Sequence, residues 1–191
     1  MANVTVFGQG NMGSAIGENF AAAGNNVAYV TETETVDALG EIVVLAVPYG
    51  AVERIISTYG EALQGKIVID ITNPVNFETF DDLVVPADSS AAAEIAQKLP
   101  ESKIVKAFNT TFAATLATKQ VGGVQPTTVL LAGDDAEAKK SVTAALAGSG
   151  LEFIDAGSLK RARELEAFGF LQISLAAAEK ISWTAGFAII K

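Results

Sequence analysis

The 191-residue chain contains neither histidine nor cysteine. Without cysteine there is no disulfide framework and no thiol chemistry, and without histidine the commonest general base and the commonest metal ligand are missing together. No metal site is expected. Basic residues are scarce as well: 13 Lys and Arg stand against 22 Asp and Glu, for a net charge of −9 and a pI near 4.5. They form no run longer than Lys139-Lys140 or the Lys160-Arg161 step, which argues against nucleic acid as a partner. Long apolar runs are also lacking. The stretch 167–178 is largely apolar but shorter than the ~20 residues a membrane span requires, and Glu179-Lys180 interrupts it, so no membrane partner is expected. Met1-Ala2-Asn3 carries no basic segment and leads directly into a strand; no signal peptide is expected, and the protein reads as cytoplasmic. Half of the residues are hydrophobic, enough to bury a sizeable core in one compact unit.

The most informative stretch lies near the start. Val4-Thr5-Val6-Phe7 reads as an apolar strand, and Gly8-Gln9-Gly10-Asn11-Met12-Gly13 follows it with glycines at the GxGxxG spacing. A helical segment reaching Gly24-Asn25 and a second strand at 27–30 complete the context of a dinucleotide-binding turn. Each glycine has a separate task there. Gly8 allows a tight exit from the strand, Gly10 lets the backbone approach a pyrophosphate, and Gly13 lets the helix pack close to the strand. The phosphates then sit on the helix N-terminus, whose free N–H groups and dipole favour an anion without a lysine.

Polar residues 31–35 and a short piece over 36–39 separate the second strand from Ile42-Val43-Val44-Leu45-Ala46. About a dozen residues leave room for one short helix and no additional strand, so the first mononucleotide-binding half is abbreviated. The pattern then predicts a helix over 51–59, a strand over 67–71, a loop containing Asn73-Pro74 and Phe77, and a helix over 90–99 with Ser90 as N-cap. Strands follow over 104–108, 128–132 and 152–154, with a helix over 135–147. Continuous apolar strands alternating with helices imply a parallel sheet covered on both faces. From 158 to 180 one long helix is expected, apolar nearly all round: Phe168, Leu171 and Leu175 on one side, Phe170, Ile173 and Ala177 on another. One side should meet the sheet and the other a second body, which predicts a homodimer through 168–178. Residues 186–190 read as a closing strand. The fold expected is α/β: a Rossmann-type doubly wound, mostly parallel sheet with an abbreviated first half and a C-terminal helix. Residues 1–157 form the NAD(P)-binding domain, and 158–191 pack on it as part of one compact unit.

With these segments in place, the chain resembles the NADP oxidoreductase family that works with the deazaflavin coenzyme F-420, whose relatives include the cytosolic domains of six-transmembrane metalloreductases. The resemblance is carried by the glycine motif, by Leu45-Ala46-Val47-Pro48-Tyr49, by 68–72 with Asn73-Pro74, and by Val105-Lys106-Ala107-Phe108-Asn109-Thr110. Asp155-Ala156-Gly157-Ser158-Leu159, with Arg163 and Glu166, extends it to the C-terminal part. It implies a Rossmann domain with a small helical part, a homodimer, and hydride exchange between a nicotinamide and a second redox partner. It further implies that Pro48 and Tyr49 flank the cofactor and that Asn73, Asn109 and Thr110 border the nicotinamide and its partner. Simpler roles stand beside these: Pro48 as a helix start, Asn73 as a turn residue, Asn109 as a helix cap, and Lys106 as the partner of a carboxylate such as Glu166. Arg161 and Arg163 are placed to pair with Glu164 or Glu166 at helical spacing.

No residue is assigned as a catalytic acid or base. Carbonyl or imine reduction needs a proton donor, and the only Lys or Tyr near a strand end is Lys106 or Tyr49. A flavin, deazaflavin or quinone carries its own electronics, so the protein need only orient two rings. The inventory therefore favours a small redox-active acceptor, with a non-catalytic dinucleotide sensor or a carbonyl/imine reductase as the alternatives. For the dinucleotide, two signals disagree. The family's basic segment for the 2′-phosphate falls here on Thr31-Glu32-Thr33, where an acid suits the ribose hydroxyls of NAD; the residues lean to NAD and the family to NADP.

Overall fold

The computed structural model describes residues 1–32 and 35–190. The first half runs β1 (Asn3–Phe7), α1 (Asn11–Ala22), β2 (Asn26–Val30), β3 (Ile42–Leu45), α2 (Tyr49–Leu63), β4 (Ile67–Asp70), α3 (Ala91–Lys98) and β5 (Lys103–Lys106). It continues through α4 (Ala113–Thr118), the two-residue strands β6 (Gln120–Val121) and β7 (Gln125–Pro126), β8 (Thr128–Ala132), α5 (Ala136–Ala145), β9 (Glu152–Gly157), a 3-10 turn (Leu159–Arg161) and α6 (Ala162–Ala177). Seven strands form one sheet in the order β2-β1-β3-β4-β5-β8-β9. The five on the β2 side are parallel; β8 joins antiparallel to β5, and β9 is parallel to β8. This is a Rossmann-type, mostly parallel sheet whose first half ends at β2.

Alternation along a strand explains why β3 is apolar throughout. Ile42 and Val44 enter a core with Ile16, Phe20 and Val105 on the α1 side, whereas Val43 and Leu45 enter another with Val52, Ile55 and Ile95 on the α2 side. A strand covered on both faces is buried at every position, which favours apolar residues throughout, as in β3. Helix starts follow local chemistry: Ser90 Oγ accepts the Ala93 N–H and Asp135 the Ala138 N–H. Among the described residues, no helix is long and apolar enough to cross a membrane.

Four expectations are corrected. Residues 35–41 form no helix; Gly40 N–H donates to Thr5 Oγ1 (2.9 Å) and Leu39 is buried, so the segment returns along β1 as an irregular crossover. Residues 186–190 form no strand, because the Phe187 N–H is taken by the Gln172 side chain (2.9 Å) rather than by a neighbouring strand. The long helix expected over 158–180 is divided into the 3-10 turn and α6, and it ends at Ala177. The helix expected at 51–59 runs longer, from Tyr49 to Leu63, starting as soon as Pro48 has left the strand.

Candidate dinucleotide and acceptor site

The carboxyl ends of the parallel strands carry the site, as the topology of an open α/β sheet requires. Gly8 leaves β1 at φ +96°, and a Cβ there would lie 2.3 Å from the Ala46 carbonyl oxygen. Its N–H donates to Val30 O (3.0 Å), and Ala46 N–H donates to Phe7 O (2.9 Å). A Cβ on Gly13 would fall 2.1 Å from Gly8 O. Gly8 and Gly13 are thus required by the protein itself, to let three backbones converge. Gly10 differs. It precedes α1 as its N-cap, and apart from its chain neighbours no described residue lies within 4 Å of where its Cβ would be. The first turn of α1 contains no acidic residue, and no side chain caps it. Open space beside free helix N–H groups is the cradle a pyrophosphate fits.

Two cavities meet at this loop. The smaller, about 160 Å³, is lined by Phe7, Gly8, Thr31, Glu32, Val47 and Arg54 among others. The larger, about 680 Å³, runs from Gln9, Gly10, Asn11 and Met12 past Asn73 and Asn109 to Phe112 and Trp183. Its volume is within the range of about 300–1,000 Å³ usual for small-molecule sites. A two-part hollow on either side of a glycine cradle suits a dinucleotide, with one half for the adenosine and the other, larger half for the nicotinamide and a second molecule.

Asn73 and Asn109 are locked together in the wall of the larger cavity. Asn73 Nδ2 donates to Asn109 O (2.8 Å), while Asn109 Nδ2 donates to Asn73 Oδ1 (2.9 Å) and to Leu165 O (2.8 Å). Helix α6 approaches this pair through Gly169, where a Cβ would meet Asn73 Oδ1 at 2.5 Å. Asn109 Oδ1 is buried and has no donor among the described residues, leaving an acceptor beside the cavity. Asn109 is not a helix cap, because α4 begins after Phe112.

Lys106, Asp70 and Glu166 form a wholly buried cluster behind the site. Lys106 Nζ lies 2.7 Å from Asp70 Oδ2 and 2.8 Å from Glu166 Oε1, and it also donates to Thr72 O. Glu166 in turn accepts the Ala91 N–H (2.8 Å) and the Ala92 N–H (3.2 Å) at the start of α3. Burial raises the Glu166 carboxyl above the usual carboxylate range, although Lys106 pulls it down. The ion pair with Glu166 is therefore the role of Lys106, and Lys106 does not line the cavity. Arg161 pairs with Glu164 at 3.5 Å.

Other sequence-derived candidates are dispersed. Thr31, Glu32 and Val47 line the smaller cavity, and Ala46 packs against the glycine loop. Thr33 lies outside the described residues. Pro48 is the N-cap of α2. Tyr49 faces a separate hollow with Glu94 and Lys98, where burial and then the Glu94 charge raise its phenol. Pro74 is buried in the loop and accepts the Val84 N–H (2.7 Å). Thr110 is buried, its carbonyl accepting from Gln172 (3.3 Å), while its neighbours Asn109 and Thr111 line the larger cavity. Arg54, Phe112 and Trp183 are cavity residues that the sequence reading missed. The phase of α2, with Ile55 inward, held a signal for Arg54; Trp183, in an irregular tail, had none.

The sequence model of the family described as NADP oxidoreductase coenzyme F420-dependent matches residues 28–74. The chain is 36% identical over 141 residues to the F420-dependent NADP reductase of Methanocaldococcus jannaschii, covering 71% of this chain and 62% of that protein. It is 32% identical over 142 residues to the metalloreductase STEAP3 of Rattus norvegicus, covering 74% of this chain and 28% of that protein. It thus spans less than two thirds of either relative. A crystal structure of a candidate F420-dependent NADP-reductase from Arthrobacter sp. FB24 superimposes with a TM-score of 0.83 at 24% identity, covering all of both chains. At that identity the superposition speaks for the fold. The chain is thus similar in sequence, over part of its length, to coenzyme F420-dependent NADP reductases, and it shares the fold of the Arthrobacter structure.

Proposed function

We propose that the chain is an NAD(P)H-dependent oxidoreductase that exchanges a hydride between a nicotinamide dinucleotide and a flavin-like, deazaflavin or other redox-active acceptor. The observation that carries this reading is a cavity on each side of the glycine loop, the smaller reaching Gly8 and the larger reaching Gln9 and Gly10 and walled by Met12, Ile71, Phe77, Phe112, Ile173 and Trp183. When bound, the nicotinamide supplies the hydride. The chain's own residues do the rest: the α1 N–H groups hold the pyrophosphate, Asn73 and Asn109 present fixed amide groups, and the aromatic wall excludes water. Among the described residues, Glu18 is the only titratable one lining this cavity. Neither Lys106, buried in its ion pairs, nor Tyr49, at the separate hollow, is placed to protonate an oxyanion there. A ring acceptor needs no such donor.

The test is to mix the protein with NADPH or NADH and with FMN, FAD, deazaflavin or ferric chelates, following the nicotinamide absorbance. Loss of absorbance with at least one acceptor is expected; tight binding with turnover of none would overturn the enzyme in favour of a sensor.

A second copy of the chain completes the proposal. Phe168 and Leu171 on α6 are exposed, and Phe187 from the tail stacks on Phe168 at 4.8 Å while itself remaining 38% exposed. A patch of this kind suits a two-fold contact between identical faces. Light scattering at micromolar concentration is expected to give the mass of a dimer, and a monomeric mass would contradict it.

A further inference from the structure

Thr31 and Glu32, the described residues after β2, bring no positive charge to the smaller cavity, but another element does. Arg54, in the second turn of α2, places its guanidinium 3.1 Å from Glu32 Oε1, and both residues line that cavity. The strand order dictates the meeting. Because β2 and β3 flank β1, the loop after one and the helix after the other frame the same hollow. Ile55 is buried beside Arg54, and Thr58 Oγ1 donates to the Arg54 carbonyl (2.8 Å), fixing this turn of the helix. The two side chains are 62% and 79% exposed, and an exposed pair of this kind contributes little to stability. It is therefore easily parted by a ligand that offers either residue a better partner.

We infer that Arg54 and Glu32 are a cofactor-selecting pair that lets one site accept both dinucleotides. The inference rests on the dinucleotide reading above. With NAD(H), Glu32 keeps Arg54 beside it and accepts hydrogen bonds from the adenosine ribose hydroxyls. With NADP(H), Arg54 exchanges the single carboxylate contact for the 2′-phosphate, whose oxygens match the planar guanidinium fork. The repulsion between Glu32 and the phosphate is then screened by a cation from α2, so the loop after β2 needs none of its own.

Dissociation constants for NADH and NADPH, measured by fluorescence titration on the full chain, test this in the wild type, Arg54→Gln and Glu32→Gln. The wild type is expected to bind the two within tenfold. Arg54→Gln should weaken NADPH tenfold or more and NADH less than threefold; Glu32→Gln should weaken NADH and leave NADPH unchanged or tighter. Unfolding midpoints should stay constant in all three. A wild type that binds both while Arg54→Gln shifts neither, or both equally, overturns the pair and spares the dinucleotide site. A wild type that binds neither overturns the site itself.

Discussion

Replacing Lys106 by methionine is expected to destabilise the protein by about 3–5 kcal/mol, the loss typical when one partner of a buried ion pair is removed. For a domain of this size that corresponds to a fall in Tm of roughly 6–20 °C. The geometry sets the direction. Among the described residues Lys106 is the one cation between Asp70 and Glu166, all three being buried, so its removal leaves two buried carboxylates close together with backbone N–H donors but no countercharge. The same cluster ties β4 and β5 to α6 and, through the Glu166 contacts with Ala91 and Ala92, to the start of α3. Urea unfolding measures the loss. Neutralising both acids with Asp70→Asn and Glu166→Gln in the Lys106→Met background should recover most of it, because an apolar or neutral cluster carries no such penalty. Glu166→Gln alone has a separate signature. The folded protein holds the Glu166 proton to higher pH than the unfolded chain does, so this group's contribution is complete below the ordinary carboxylate value of about 4.3 and is lost as pH rises through the raised one. The variant should lack that slope.

Gly10→Val is expected to weaken NADH and NADPH at least a hundredfold, about 2.7 kcal/mol, while leaving the fold intact. The site explains why the two outcomes separate. The Gly10 backbone, at φ −73° and ψ −172°, suits any residue, and a Cβ there meets no described residue beyond its chain neighbours. The added isopropyl group instead occupies the space beside the α1 N-terminus. Gly8→Val or Gly13→Val would not discriminate in this way, because a Cβ at either position collides with backbone. Isothermal titration with circular dichroism as the folding control measures both quantities, and unchanged affinity would remove the pyrophosphate from this loop.

Much of the fold could be read from the chain because it rests on local signals. The run Ile42-Val43-Val44-Leu45 belongs to a strand buried on both faces, and a GxGxxG turn between strand and helix has few other uses. The partnership of Lys106 with Glu166 was legible for a similar reason, since a lysine in an apolar strand must find a carboxylate. Elements without period or length were not legible. β6 and β7 have two residues each, and residues 178–190 have no repeating pattern to show that they fold back on α6. Within the site, the glycines and the Asn73 and Asn109 pair were found on strand ends. Arg54 was missed because its position depends on the strand order, which brings α2 beside the loop after β2 and which propensity does not encode. Phe112 and Trp183, whose rings lie 4.9 Å apart, were missed because the tail brings Trp183 to the cavity from 71 residues away.

The central claim is that a dinucleotide crosses Gly10 and places its nicotinamide in the larger cavity. Trp183 is the single tryptophan of the chain and lines that cavity, so energy transfer from it to a reduced nicotinamide tests the claim most directly. Titration with NADPH or NADH is expected to quench the tryptophan emission saturably and to raise nicotinamide emission in proportion, with both effects absent in Gly10→Val. Saturable binding without energy transfer, or equal transfer in Gly10→Val, would contradict the placement.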